Sequence, residues 1–182
     1  MVSFTKKFYL FKVRDTWFRY AYSFSDYFSL RLYSFVQSPE NISRSNCVKD
    51  ISHTVLLSLQ PATEELHAKF KNTVRKEIRK AETEGVVCCF ETDVETFIPF
   101  FNAFAAQKKI YPAQPEMIKR IGPNFRTTFA KLNSELLVAH SYIVDEEMGI
   151  ARLFQSASRR LDENVDRRMI GMANKLLTAK DI

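Results

Sequence analysis

The run Arg168-Met-Ile-Gly171-Met-Ala173 has the spacing Arg-x-x-Gly-x-Ala. It stands between a strand-like stretch that ends in paired arginines, Arg159 and Arg160, and a segment with helical periodicity. In that position the pattern fits a phosphate cradle. A glycine lets backbone approach a ligand closely. The N–H groups and positive dipole end of a helix's first turn then face the anion. His140 is a second candidate, as a general base, a substrate contact or a satisfied structural residue on a strand. A third is the basic side of segment 62–84, with Lys69, Lys71, Arg75, Lys76, Arg79 and Lys80. It reads either as a solvated helix face or as a patch for a phosphate-bearing substrate.

These residues must be carried by elements that the pattern also predicts. The chain has 182 residues, 46% of them hydrophobic and 13% aromatic, enough for one domain with a full core. Its net charge of +6 favours an anionic partner: a phosphate-bearing cofactor, nucleic acid or an acidic membrane surface. Cys47, Cys88 and Cys89 fit no zinc-ligand spacing and read as reduced thiols of a cytoplasmic protein, the adjacent pair in a buried strand. No run approaches the ~20 apolar residues that span a bilayer, and no signal peptide opens the chain. Peripheral membrane contact stays open. Motifs of P-loop, serine-hydrolase and zinc-protease chemistry are missing from the sequence.

Residues 1–50 are rich in aromatic and basic side chains. Near-alternation from Tyr20 to Phe35 predicts strands, with a hairpin near Ser25-Asp26, and 38–50 reads as a loop. This region either buries its rings on the domain or offers a surface to lipid or single-stranded nucleic acid. Thr54–Leu59 predicts an apolar strand, with Pro61 at the first position of a helix over 62–84. Leu66, Phe70, Val74, Ile78 and Ala81 form that helix's stripe, and Gly85 ends it. A strand over Val86–Phe90 follows, then a buried helix for which Thr96 is preferred to Asp93 as cap, because it keeps Pro99 in the first turn. A short helix over Glu116–Ile121 comes next. Phe125–Leu132, Glu135–Val144 and Ile150–Ser158 predict an antiparallel meander, turning at Asn133-Ser134 and Gly149.

Several ordered segments resemble the GNAT acyltransferase superfamily, in the branch related to Fem-type aminoacyltransferases. They are T-V-L-L-S-L-Q-P-A-T-E-E-L, R-K-E-I-R-K-A-E-T-E-G-V, F-I-P-F-F-N-A-F-A, L-L-V-A-H-S-Y, A-R-L-F-Q-S-A-S-R and I-G-M-A-N-K-L-L, spread over residues 54–182. The resemblance implies an α+β fold, a GNAT-like mixed sheet flanked by helices with an antiparallel meander. It implies transfer of an acyl or aminoacyl group from acyl-CoA or aminoacyl-tRNA to an amine, without a metal, as in cell-envelope biosynthesis. Arg168, Gly171 and Ala173 then match the pyrophosphate loop, with backbone N–H groups from Met169 to Asn174, Met172 included, facing the donor. Arg159, Arg160 and Arg167 add phosphate contacts, and Arg75 and Arg79 match basic positions of the family's first helix. His140, Tyr142 and Ser156 are the polar groups expected at the reacting centre.

The family's pattern continues beyond this helix with a further strand and an Asp-x-Gly-Gly-like turn, whereas the sequence stops at Ile182. The expectation is a domain incomplete at its C-terminus, with an open edge at Ile150–Ser158. A partner chain or oligomer would complete the sheet, and the isolated chain would show weak turnover or none. A non-catalytic interaction module is the alternative reading.

Overall fold

A computed structural model of the chain describes residues 2–8, 11–18, 31–36 and 54–182. Near the N-terminus, β1 (Ser3–Phe8) pairs antiparallel with β2 (Phe11–Trp17), and β3 (Arg31–Val36) lies parallel to β2. The expected hairpin at Ser25-Asp26, the loop 38–50 and Cys47 fall outside the described residues.

The larger sheet has the order β4-β5-β6-β7, from β4 (Val87–Cys89), β5 (Phe125–Leu132), β6 (Glu135–Asp145) and β7 (Ile150–Ser158). The fold is α+β, with this sheet flanked by helices. Among the described residues this sheet is antiparallel, and the parallel pairing is that of β2 with β3 in the N-terminal sheet. Its hairpins sit where the turn residues predict. Asn133 and Ser134 both have positive φ, 50° and 68°, as a two-residue turn matched to strand twist requires. Gly149, at φ +63°, returns the chain into β7. Single-residue register shifts interrupt the ladders at Ala130/Lys131 and Ser141/Tyr142.

The alternation of each strand sends its residues to two cores. On one face α3 (Val94–Lys108) and α4 (Pro115–Ile121) join Trp17 and Phe18 of the N-terminal region over Phe125, Phe129, Ala139 and Ile143. On the other, α2 (Asn72–Thr83) and α5 (Arg167–Lys180) cover Ala130 and Val138 with Ala81, Ile170, Ala173, Leu176 and Leu177. Phe97, fully buried against Phe101 and Phe125, anchors the first core and contributes about 2–3 kcal/mol by burial. Trp17 and Phe18 are thus buried on the domain, as the packing reading of the aromatic region has it.

Three local expectations are corrected. Thr54–Leu59 forms no strand. It is exposed along its length, with Val55 and Leu56 almost fully so, and among the described residues no neighbouring strand takes its backbone hydrogen bonds. The helix over 62–84 is two helices, α1 (Thr63–Ala68) and α2. Its apolar period continues through the break, but His67 stacks on Phe70 and bonds to the Ala179 carbonyl at 2.9 Å. That contact turns α1 toward the end of α5. Pro61 consequently lies ahead of the α1 cap, Ala62. Asp93, not Thr96, caps α3: its carboxylate accepts the Thr96 N–H at 2.9 Å, and these bonds hold the Asp93 carboxyl below its usual range. Pro99 then sits in the second turn, at an exposed position where the helix gives up one hydrogen bond.

Candidate functional site

Beneath the last turn of α5, four polar side chains meet. The bulged strand β6 presents His140 and Tyr142 on the α5 face, and α5 brings Asn174 and Asp181 down onto them. His140 Nδ1 lies 2.8 Å from Asp181 Oδ2, and Nε2 lies 3.0 Å from Asn174 Oδ1. Tyr142 donates its hydroxyl to the same Asp181 oxygen at 2.6 Å. Burial, and then the Asp181 carboxylate, push the Tyr142 hydroxyl far above its ordinary range, so it stays a neutral donor. The cluster is closed: His140 is 2% exposed and the Asp181 side chain 4%. A base or nucleophile needs a path to substrate, and both ring nitrogens are already engaged. The arrangement pins α5 to the sheet and holds the Asp181 charge against the unfavourable end of the helix dipole.

Ser156 pairs with His140 across the β6–β7 ladder and is exposed. Cys88 and Cys89 are half-buried rather than buried, one toward each core. Burial, reinforced by Asp181, pushes the Cys88 thiol up to about 11, which keeps it protonated and unreactive at neutral pH.

The phosphate-cradle geometry is corrected as well. α5 starts at Arg167, so Gly171, Met172, Ala173 and Asn174 lie in its second turn and beyond, where N–H groups belong to the helix ladder. Among the first-turn donors, the Asp166 carboxylate caps Arg168 N–H and Met169 N–H at 2.9 and 3.1 Å. Gly171 has ordinary helical backbone, and a Cβ there would meet nothing within 4 Å. A carboxylate thus stands where the sequence places a phosphate.

What remains basic is the neighbourhood of that helix start. Lys175 pairs with Glu77, and Lys180 with Glu82 at 3.1 Å, so α2 and α5 run parallel and begin side by side. Neither has an acidic residue in its first turn, and no side chain caps α2 at Lys71. Lys71, Arg167 and Arg168 are exposed there. Arg75 is half-buried, and its Nε is buried without a hydrogen-bond partner. Arg79 and Arg160 are exposed.

Arg159 is not free for a phosphate. Its guanidinium bonds Asp162 Oδ2 at 2.7 Å and pairs with Glu135, while Gln107 of α3 donates to Asp162 Oδ1 at 2.9 Å. Arg159, and then Gln107, hold the Asp162 carboxyl below its usual range. This chain of contacts rims a groove of about 360 Å³ floored by Phe100, Phe104 and Leu136. Sequence reasoning passed over Asp162, Glu135 and Asp181. Only the Arg159–Asp162 spacing of three could have signalled a pair.

The geometry defines a class no narrower than an α+β domain with a closed polar latch, a basic helix-start end and a groove. In comparison with known proteins, no family model matches this chain and no curated protein matches it. No helix among the described residues is long and apolar enough to cross a membrane.

Proposed function

We propose that this domain binds a phosphate-bearing acyl donor, an acyl-CoA or an aminoacyl-tRNA, and passes its acyl group to an amine. The GNAT and Fem-related resemblance motivates that reaction class. The observation that carries it here is the shared basic end of α2 and α5. Two parallel helix starts combine their dipoles with Lys71, Arg75, Arg167 and Arg168, around the uncapped start of α2. The amine nitrogen would bond to the acyl carbon as the donor's C–S or C–O bond breaks, and the amine proton would leave to water. His140 takes no part, being enclosed. The protein's contribution is then chiefly placement of donor and acceptor. Such donors place the reaction in the cytoplasm.

The test is a thermal unfolding scan with a panel of CoA thioesters and with charged tRNA. A donor at a hundred times its dissociation constant adds about 2.7 kcal/mol of stability. The expected result is a raised midpoint, reduced by Arg75→Ala and Arg168→Ala. A cooperative transition indifferent to every donor overturns the reading.

A second reading, a module that docks to another protein, has its own support. Val55, Leu56, Leu57 and Leu59 form an exposed apolar segment, and among the described residues β7 is an edge strand with one neighbour. Light scattering on the chain and on a Val55→Asp, Leu57→Asp variant tests it. A monomer in both, with no change in solubility, removes that support.

A further inference from the structure

The groove at the end of the sheet has a composition that selects a ligand. Its floor is apolar, formed by Phe100, Ala103 and Phe104 of α3 and Leu136 of β6. Its rim holds two carboxylates, Glu135 and Asp162, against one guanidinium, Arg159, which leaves one negative charge in excess. Arg159 lies between the two carboxylates and bonds both, so its charge is already answered within the rim. Glu135 keeps a second oxygen, on a side chain 59% exposed. Gln107 gives one of its two amide N–H groups to Asp162, and its oxygen remains an acceptor. The rim's charge balance is negative, so an anion would meet net repulsion and a cation net attraction.

We propose that this groove is a binding site for a small primary amine with an apolar or aromatic body. The body lies on Phe100, Phe104 and Leu136, and the ammonium reaches the Glu135 carboxylate at the rim. Its volume, about 360 Å³, sits at the low end of small-molecule sites and suits a ligand of about ten heavy atoms. The two phenylalanine rings add attraction for a cation near their faces. The groove also lies on the turn that leads from β7 toward the start of α5. In the role of acyl acceptor this amine rests on the transfer reading above; the binding itself does not.

The experiment titrates the full chain with three probes of one shape: 2-phenylethylamine, 2-phenylethanol and 3-phenylpropanoate. Backbone amide shifts in nuclear magnetic resonance report both affinity and place. The expected result is amine binding in the millimolar range, with shifts centred on Ala103, Phe104, Gln107 and Leu136. The alcohol should bind about tenfold more weakly, and the carboxylate weaker still. Glu135→Gln, at an exposed position, should lower amine affinity to that of the alcohol and leave the alcohol unchanged. Phe104→Ala should weaken amine and alcohol together. Equal binding of amine and alcohol, or shifts elsewhere on the domain, overturns the proposal. Amine binding without any stabilisation by acyl donors keeps the groove and removes the transfer reading. Donor stabilisation without amine binding does the reverse.

Discussion

The polar cluster beneath α5 and the rim of the groove are built from similar parts and do opposite things. Each joins a strand of the sheet to a helix through carboxylates and a basic or amphoteric side chain. Under α5, His140 and Asp181 are nearly inaccessible, and Tyr142 and Asn174 close the set. At the groove, Glu135 and Arg159 are 59% and 30% exposed, and an apolar floor lies beside them. The first arrangement spends its hydrogen bonds on holding a helix in place. The second keeps acceptors open to whatever enters. Polar residues that converge are thus a site only where something can reach them. The residue types alone, His140 and Tyr142 above all, point to the wrong one of the two.

Mutations at the two places should therefore differ most in stability. Asp181→Ala leaves the buried His140 and the half-buried Tyr142 without their shared acceptor, and should cost roughly 3 kcal/mol in urea unfolding. Tyr142→Phe removes one charge-assisted bond and should cost about 1.5 kcal/mol. Glu135→Gln breaks only a part-exposed pair and should stay within about 0.5 kcal/mol of the parent. If Asp181→Ala proved as mild as Glu135→Gln, the cluster would not be a latch, and the contrast would collapse.

The meander was the most legible part of the chain, and for physical reasons. Its strands alternate, and Asn133, Ser134 and Gly149 supply the positive φ that its turns need. Contacts between elements distant in sequence were not legible. Nothing around Phe70 announces that His67 will bond Ala179, which is what splits the long helix. Thr54–Leu59 has the composition of a strand, but a strand exists only with a neighbour, and composition does not provide one. At the candidate site the Arg-x-x-Gly-x-Ala spacing marks the right segment, but only Arg168 falls in the first turn of α5, and Gly171 lies in the second. The decisive residue was Asp166, two positions before Arg168, which starts the helix early enough to bury the pattern inside it.

That shift can be tested where the two ends of α5 contrast. Asp166→Ala should cost about 1 kcal/mol through loss of the cap. It also frees the N–H groups of Arg168 and Met169 and removes a negative charge from the basic end. If a phosphate group binds there, the variant should hold its donor more tightly although it is less stable. Weaker binding would place any donor elsewhere.

The cysteine next to the latch gives a pH-dependent reading of the same closure. Burial raises its thiol to about 11 from the ordinary thiol value of 9.0, so the native state keeps the thiol proton longer than the unfolded chain does. The stability this reflects is complete below pH 9 and is lost as pH rises toward 11. A Cys88→Ser variant should show a shallower alkaline decline than the parent. Cys88 should also alkylate slowly at pH 8, and faster once Asp181→Ala opens the cluster.

The smallest expected effect separates the two accounts of Gly171. A glycine that lets backbone approach a phosphate cannot be replaced without loss. A glycine in a helix interior with open space at its Cβ position gains from replacement, by roughly 0.5–1 kcal/mol for alanine. The structure gives Gly171 helical backbone and nothing within 4 Å of an added Cβ, so Gly171→Ala should stabilise the domain. Donor-induced stabilisation should be unchanged in the same variant, because the donors of the basic end are α2's first turn and the flanking arginines. If Gly171→Ala instead abolished the donor response while the fold held, the N–H groups near Gly171 would be in use. Asp166 would then have to give way when the donor binds, and the start of α5 would be a site in the bound state that its own cap conceals in the free one.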